Sequence, residues 1–310
     1  MKLIIQIPCF NEEATLPLTI AGLPKKIAGI DTIETLVVND GSTDNTEKIA
    51  GDLKVDHIIT IPKRHGLAHA FKTGLDAAVN LGAEIIVNTD GDNQYNGEDV
   101  ALLVAPILQK KARIVVGCRD MSKIRHFSFI KKLLQRIGSQ FVRKFSNTKV
   151  LDVTSGFRAY SRDAAMRINI FSDYTYTLES ILQAGRNNIP IECITIRTNP
   201  KLRESRLMKS MFGYVARSVA TILRIYIMYE PLKSFFVLGL LPLGAGLLLI
   251  LRFLIDHFTR IHGGHVQSLI VAAVLILAGF GTIMIGLLGD IISANRKIGE
   301  EILYRLKKKQ

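Results

Sequence analysis

Two long uncharged runs limit what this chain can become. Ser234 to Leu251 passes 18 residues without a charge, and Val266 to Gly289 passes 24. A helix needs about 20 apolar residues to cross the hydrocarbon core of a bilayer. The first run reaches Ile255 if Arg252 lays its stem along the helix and sends its head to the interface. A buried hairpin inside a soluble domain is the other reading, but no polar stripe interrupts either run as it would on an amphipathic core helix. Neither run is N-terminal, so a cleaved secretion signal does not account for them.

Charge gives the direction of the spans. Residues 197–233 hold eight Lys or Arg against two acids, and the tail 290–310 carries Arg296, Lys297, Arg305, Lys307, Lys308 and Lys309. Between the spans, Asp256 to His265 holds only Arg260 as a full positive charge. The positive-inside rule then places the N-terminal domain and the basic tail in the cytoplasm, as parts of an integral cell-membrane protein. The net charge of +13 reads as attraction to an anionic leaflet. No RNA-binding aromatic signature or zinc spacing accompanies it, so nucleic acid is not an expected partner. Cys9, Cys118 and Cys193 lie far apart and are read as small buried hydrophobes in a reducing compartment, with no disulfide or metal role.

Residues 1–200 have a different texture. Short β-rich runs at Leu3–Ile7, Thr35–Val38, His57–Ile61, Glu84–Asn88 and Arg113–Val116 alternate with helical patterns. Those patterns run from Asn11 or Glu12 to Ile27, from Asp44 to Leu53, from Leu67 to Leu81 and from Glu98 to Gln109. Such alternation predicts an α/β domain, a mostly parallel sheet with helices on both faces. In that architecture ligands sit beyond the carboxyl ends of the strands.

The fourth run stops at Asn88-Thr89-Asp90-Gly91-Asp92. Two carboxylates spaced i, i+2 on such a turn can present oxygens to one divalent cation, and Mg²⁺ or Mn²⁺ suits a few carboxylates plus water and phosphate oxygens. Taken alone, the pair is also what a solvated acidic turn looks like. A helix-loop-helix calcium loop is excluded, because Tyr95 and Ala101 stand where it needs Gly and Glu. The first two strands also end in acids, at Asn11-Glu12-Glu13 and Asn39-Asp40-Gly41-Ser42-Thr43-Asp44. Helix capping explains each singly, but not three strand ends together. Neither G-x-G-x-x-G nor a P-loop occurs, so phosphate must be held by metal and basic side chains.

At these residues the chain resembles the nucleotide-sugar-dependent glycosyltransferases of family 2, in their polyisoprenyl-phosphate branch. The resemblance runs over about residues 3–210, through Pro8-x-x-Asn11-Glu12-Glu13, Asn39-Asp40-Gly41-Ser42-x-Asp44, Asp90-Gly91-Asp92-x-Gln94, Gly117-Cys118-Arg119 and Ser155-Gly156-Phe157-Arg158. It implies a Rossmann-like, GT-A type catalytic domain over 1–200, followed by interfacial helices over 201–233 and spans at about 234–255 and 266–289. It also implies that Pro8, Phe10, Asn11, Glu12, Val38, Asp40, Asp90 and Gly91 meet the nucleotide-sugar donor. Asp90, Asp92 and Gln94 would hold Mg²⁺ or Mn²⁺ on its diphosphate. Asn39 replaces an Asp common in the family, and Gly91 replaces a common Ala; neither removes a metal ligand.

The expected acceptor is a polyisoprenyl phosphate, already ionised near pH 7 because its second pKa is about 6. It needs no general base, only positioning against its repulsion from the donor. Arg side chains clamp phosphate in a forked geometry, which makes Arg119 and Arg158, with the metal ligand Asp92, the expected catalytic residues. Lys131, Arg136, Ser155 and Arg206 are further candidates for the acceptor phosphate. Residues 121–151 carry eight Lys or Arg and no acid, with Phe129, Leu133, Ile137, Phe141 and Phe145 every four residues. That pattern describes a basic amphipathic helix at a membrane surface, or an ordinary helix docked on the domain. Self-association as a homo-oligomer is compatible with everything above. A processive polysaccharide synthase would need a Gln-x-x-Arg-Trp motif, and the chain has no Trp. A membrane nucleotidyltransferase would want a basic or glycine-rich triphosphate loop, and a non-enzymatic scaffold would not need every metal carboxylate.

Overall fold

The computed structural model describes residues 1–119, 150, 152–171, 176–200, 219–220, 223–224, 226–259 and 266–309. The chain divides into two units, Met1–Thr221 with Tyr304–Gln310, and Ile222–Leu303.

The first unit is built on a seven-stranded sheet of order β3-β2-β1-β4-β6-β5-β7. Its strands are β1 (Lys2–Cys9), β2 (Thr32–Asp40), β3 (His57–Ile61), β4 (Ile85–Asn88), β5 (Ile114–Arg119), β6 (Arg158–Ser161) and β7 (Ile191–Ile196). All neighbours run parallel except β6, which is antiparallel to both β4 and β5. The helices are α1 (Leu16–Ala21), α2 (Thr46–Asp52), α3 (Leu67–Asn80), α4 (Val100–Leu108), α5 (Arg162–Arg167) and α6 (Tyr176–Arg186). The mostly parallel sheet and the first five strands agree with the sequence reading. α1 is shorter than expected: Pro17 sits in its first turn, while Gly22 and Pro24 end it.

Helices cover both faces, which is why the central strands are almost continuously apolar. Leu3 and Ile5 of β1, Ile85 and Val87 of β4 and Val115 of β5 pack with Val100, Leu103 and Val104 of α4. On the opposite face α3 approaches closely because Gly74 has no side chain. A Cβ there would lie 2.6 Å from Gln6 Oε1 and 2.9 Å from Val38 Cγ2. The strand order reverses at β1, whose neighbours β2 and β4 lie on opposite sides. The loops after β1 and β4 therefore flank a topological switch point, the usual ligand crevice of such sheets.

The expectation that no two cysteines pair is overturned, while Cys9 is free and buried as expected. Cys118 and Cys193 form a disulfide with Cα atoms 6.0 Å apart, and only Cys9 is free among the described residues. Parallel pairing of β5 with β7 sets Val116 against Cys193 and Cys118 against Thr195. The two thiols thus share one face of adjacent strands. The 75-residue separation hides this in the sequence, because local pattern does not tell which strand lies beside β5.

The second unit holds two helices, α7 (Pro231–Phe258) and the start of α8 (Val266–Lys309). Both are long and apolar enough to cross a membrane, with mean hydropathy 2.4 and 2.6 in their best windows, of which only 17% is buried. A hairpin inside a soluble core would be mostly buried, so these helices are candidate membrane spans. They meet at small residues: a Cβ on Gly239 would lie 2.7 Å from the Gly279 carbonyl, and one on Gly246 2.8 Å from that of Ala272. Close backbone approach of this kind replaces hydrophobic burial where lipid is the solvent. The tail expected from residue 290 is a helical continuation of α8.

Replacing the fully buried Ile5 by Ala should cost about 2–5 kcal/mol, the range for emptying a packed core site. Ile58 on edge strand β3 keeps 37% of its surface exposed, and its replacement by Ala should cost less than about 1 kcal/mol. Denaturant unfolding of the two variants in detergent checks the contrast.

Candidate active site

The loops after β1 and β2 are laced together. Asn11 takes a positive φ of 55°, which Asn tolerates better than most residues. Its amide donates to Ser42 Oγ at 3.0 Å, and its Oδ1 accepts from the Thr43 amide at 2.8 Å. Glu13 Oε2 accepts from the Asn45 amide and side chain, both at 3.0 Å. Asp44 accepts from the Thr46 amide at 3.0 Å and from the Glu13 amide at 3.2 Å. Several acids that looked chemical in the sequence are therefore structural. Asn39 accepts from the Ser42 amide and donates to Glu47, each at 3.0 Å.

Asp40 is buried and accepts from the His65 and Gly66 amides, one on each oxygen, at 2.8 Å. It thereby fixes the turn before α3, whose Arg64 places its guanidinium 4.1 Å from the centre of the Phe10 ring. Phe10, Asp40 and the 63–66 turn form one cluster, and Arg64 is a member that sequence reasoning missed. Pro8 pairs with Val38 in the sheet register. The Val38 side chain is fully buried against α3, so the expected contact between it and the nucleoside is corrected: it packs the interior.

The acidic turn after β4 is the most constrained part of the site. The Thr89 amide donates to the Gln6 carbonyl at 3.0 Å. The Gly91 carbonyl accepts from Thr15 Oγ1 at 2.8 Å and Thr19 Oγ1 at 3.2 Å. A Cβ on Gly91 would stand 3.0 Å from Cys9 Sγ and 3.3 Å from Glu12 Cγ, so the missing side chain lets the turn settle onto the loop after β1. Glu12 is buried and accepts from Thr15 Oγ1 at 2.7 Å. Asp92 Oδ1 accepts from the Gln94 amide at 3.1 Å. The chain leaving β7 braces the same turn. The Asn199 amide donates to the Gln94 carbonyl at 2.9 Å, and Asn199 Nδ2 donates to the carbonyls of Asn93 and Tyr95 at 3.0 and 3.1 Å. Arg197 grips the wholly buried Asp99 at 2.6 Å. No local signal marked these braces, because they join segments about a hundred residues apart.

Electrostatics single out Asp90. Withdrawal from water, and then the negative charge of Asp92, push its carboxyl up to about 7, with Arg119 opposing the rise. Arg119 is itself held in a fork by Asp152, with Nε to Oδ2 at 2.7 Å and Nη2 to Oδ1 at 3.1 Å, and it also donates to Thr154 Oγ1 at 2.9 Å. Although burial opposes it, the Arg119 charge holds Asp152 below the usual carboxylate range. Asp152 is a second residue missed in the sequence. Among the described residues, no group of three or more His, Cys, Asp or Glu could hold a metal ion. Asp90 and Asp92 nevertheless fit a hard divalent cation: both are oxygen donors, and two protein ligands leave room for diphosphate oxygens and water. The negative charge of Asp92 acting on Asp90 is what a bound cation would relieve.

Arg158 is corrected. It is fully buried in β6, and its guanidinium donates to the carbonyls of Ser155 (2.7 Å), Thr177 (2.9 Å) and Val153 (2.9 Å) and to Ser180 Oγ (2.7 Å). It ties the 153–155 loop to α6 and presents no fork to an acceptor. Ser155 is equally buried, so it too is corrected from an acceptor contact to a core residue. Lys131, Arg136 and Arg206, with the basic segment 121–149, lie outside the described residues.

Comparison with known proteins agrees with this geometry. Residues 4–168 match the model of glycosyl transferase family 2. The chain is 24% identical to the polyprenol monophosphomannose synthase of Mycolicibacterium smegmatis, over 68% of this chain and 84% of that one. It is 29% identical to the UDP-N-acetylglucosamine–dolichyl-phosphate N-acetylglucosaminyltransferase of Methanococcus voltae, over 62% and 83%. It is 28% identical to the undecaprenyl-phosphate mannosyltransferase of Micrococcus luteus, over 55% and 70%. Among solved structures, glucosyl-3-phosphoglycerate synthase of Mycobacterium tuberculosis, crystallised with Mn²⁺, UDP and glucosyl-3-phosphoglycerate, shares the fold. It superposes with a TM-score of 0.57 at 21% identity, over 72% of this chain and 78% of that one. The same protein has been crystallised with Mg²⁺ and UDP. Over half its length, through a GT-A-like sheet with an acidic turn at its switch point, the chain belongs to glycosyl transferase family 2 and is a glycosyltransferase.

Proposed function

We propose that the chain transfers a hexose from a UDP- or GDP-linked donor to a polyisoprenyl phosphate, dolichyl or undecaprenyl, with inversion at the anomeric carbon. The product is a polyprenyl-phosphate sugar for later glycosylation. The observation that carries the reading is the Asp90–Asp92 pair at the switch point of the sheet, with Arg119 within electrostatic reach of Asp90. The relatives named for polyprenol, dolichyl and undecaprenyl phosphates support the acceptor class. The neighbours holding UDP with Mn²⁺ or Mg²⁺ support the donor and the cofactor.

Phe10, Asp40 and Arg64 receive the nucleoside end of the donor, Arg64 lying over the Phe10 ring. Asp90 and Asp92, with Gln94 beside them, hold the divalent ion. When bound, it neutralises the charge that develops on the leaving diphosphate. Neither Asp acts as a base, because a phosphate acceptor brings its own anionic oxygen. Arg119, fixed by Asp152 and Thr154, orients that oxygen; its Nη1 has no hydrogen-bond partner among the described residues. The excess of Lys and Arg on both flanks of the spans supports a cytoplasmic catalytic unit, with α7 and α8 as the candidate spans.

Membranes containing the chain should move label from UDP- or GDP-[¹⁴C]hexose into chloroform-extractable lipid when polyprenyl phosphate is supplied. Label confined to insoluble polymer, or to no product, contradicts the proposal. Asp92→Asn should lower kcat/KM at least about a hundredfold, equivalent to about 3 kcal/mol of transition-state stabilisation, with unchanged circular dichroism. Chelation of the wild type should have the same effect, reversed by Mn²⁺ or Mg²⁺. Arg64→Ala should raise the KM for the donor about tenfold, near 1.4 kcal/mol, and leave the KM for the lipid unchanged. Equal shifts in both constants would remove Arg64 from the donor site.

A further inference from the structure

Against the Asp90 carboxylate lies a residue that fits there because it has no side chain. A Cβ built on Gly156 would stand 2.9 and 3.0 Å from the two carboxylate oxygens of Asp90, and 2.8 Å from the Tyr176 hydroxyl. The Gly156 backbone is held from three directions. Its amide donates to Tyr95 Oη at 3.1 Å, and its carbonyl accepts from Asn88 Nδ2 at 2.8 Å and from the Tyr176 hydroxyl at 3.4 Å.

The groups doing the holding are fixed in turn. Asn88 Nδ2 also reaches Tyr176 Oη at 2.9 Å, and Asn88 Oδ1 accepts from Gln6 Nε2 at 2.9 Å. The Tyr176 ring stacks on Phe71 with centroids 3.8 Å apart, and Tyr95 stacks on Phe157 at 5.1 Å. Asn88, Tyr95 and Tyr176 are all buried. A buried, cross-linked hydrogen-bond network braced by stacked rings resists displacement, and whatever rests on Gly156 inherits that resistance.

We propose that Gly156 is the floor on which the Asp90 carboxylate is set for metal binding, and that Asn88, Tyr95 and Tyr176 are positioning residues that keep this floor in register. The inference rests on the metal role proposed above for Asp90. Divalent ions of this kind bind oxygens at about 2.0–2.1 Å with little angular freedom, so a carboxylate displaced by a few tenths of an ångström is a poorer ligand. Groups that orient metal ligands typically change affinity 10- to 100-fold when altered. This gives the Ser155-Gly156-Phe157-Arg158 motif two tasks. Arg158 ties the loop down, and Gly156 offers its bare surface to Asp90.

The test is Mn²⁺ binding by the full-length chain in detergent, followed through the electron paramagnetic resonance signal of free Mn²⁺. Gly156→Ala should weaken Mn²⁺ binding about 10- to 100-fold. Tyr176→Phe keeps the ring stack and loses only the hydroxyl; it should weaken binding several-fold with a nearly unchanged unfolding midpoint, and it decides the matter if Gly156→Ala does not fold. A purely structural role would lower the midpoint and leave the Mn²⁺ dissociation constant of the folded protein unchanged, which would overturn the proposal. A wild type that binds no Mn²⁺ would reject the metal reading of Asp90, and this inference with it. Wild-type binding that both variants retain in full would reject the inference alone.

Discussion

Like charge crowded onto one part-buried turn is the constraint around which this catalytic unit is arranged. Asp90 and Asp92 stand two residues apart, and the carboxyl of Asp90 is raised by its loss of water and by the charge of Asp92. Such a pair persists only if the backbone carrying it cannot relax. Gly91 sits against the loop after β1, Asn199 spans the turn from β7, and Gly156 supports it from below. The sheet supplies the remaining constraint, because β1 and β4 are neighbours and their exits open at the same switch point. The same electrostatic problem defines the proposed chemistry. A donor diphosphate and an acceptor phosphate would also repel, and a divalent ion held by Asp90 and Asp92 would supply the positive charge that offsets both repulsions.

What could be read in the sequence followed the range of the signals. Strands β1 to β5 alternate with helices and carry strong local patterns, so they appeared where expected. β6 and β7 did not. β6 is a four-residue antiparallel insertion, and β7 reads as a weak, half-exposed run. Everything that depends on them was hidden as well: the Cys118–Cys193 disulfide, the Asn199 brace and the burial of Arg158. Arg158 shows the general difficulty. In the sequence, an arginine two residues after a Ser-Gly pair looks like an anion clamp, and only the antiparallel register opposite Asn88 reveals that its partners are three carbonyls and the Ser180 hydroxyl. The acidic turn was legible because its i, i+2 carboxylates and the apolar strand before them lie within ten residues.

The two units divide the labour by solvent. Parallel β/α units bury their apolar runs against one another in water, while α7 and α8 leave most of theirs exposed and pack at Gly239 and Gly279 instead. The lipid-phosphate acceptor proposed for this chain calls for both kinds of surface, and the fold shared with a solved structure agrees with the sheet of the catalytic unit.

The central claim, that the Asp90–Asp92 turn binds a metal together with a nucleoside diphosphate, is one of coupled equilibria. Calorimetric titration of the purified chain with UDP and with GDP, in metal-free buffer and at saturating Mn²⁺, measures that coupling directly, because linkage makes each ligand strengthen the other by the same factor. The account predicts that at least one of the two nucleotides binds about tenfold or more tightly when Mn²⁺ is present, near 1.4 kcal/mol of coupling. Equal affinity with and without Mn²⁺ for both nucleotides would contradict it.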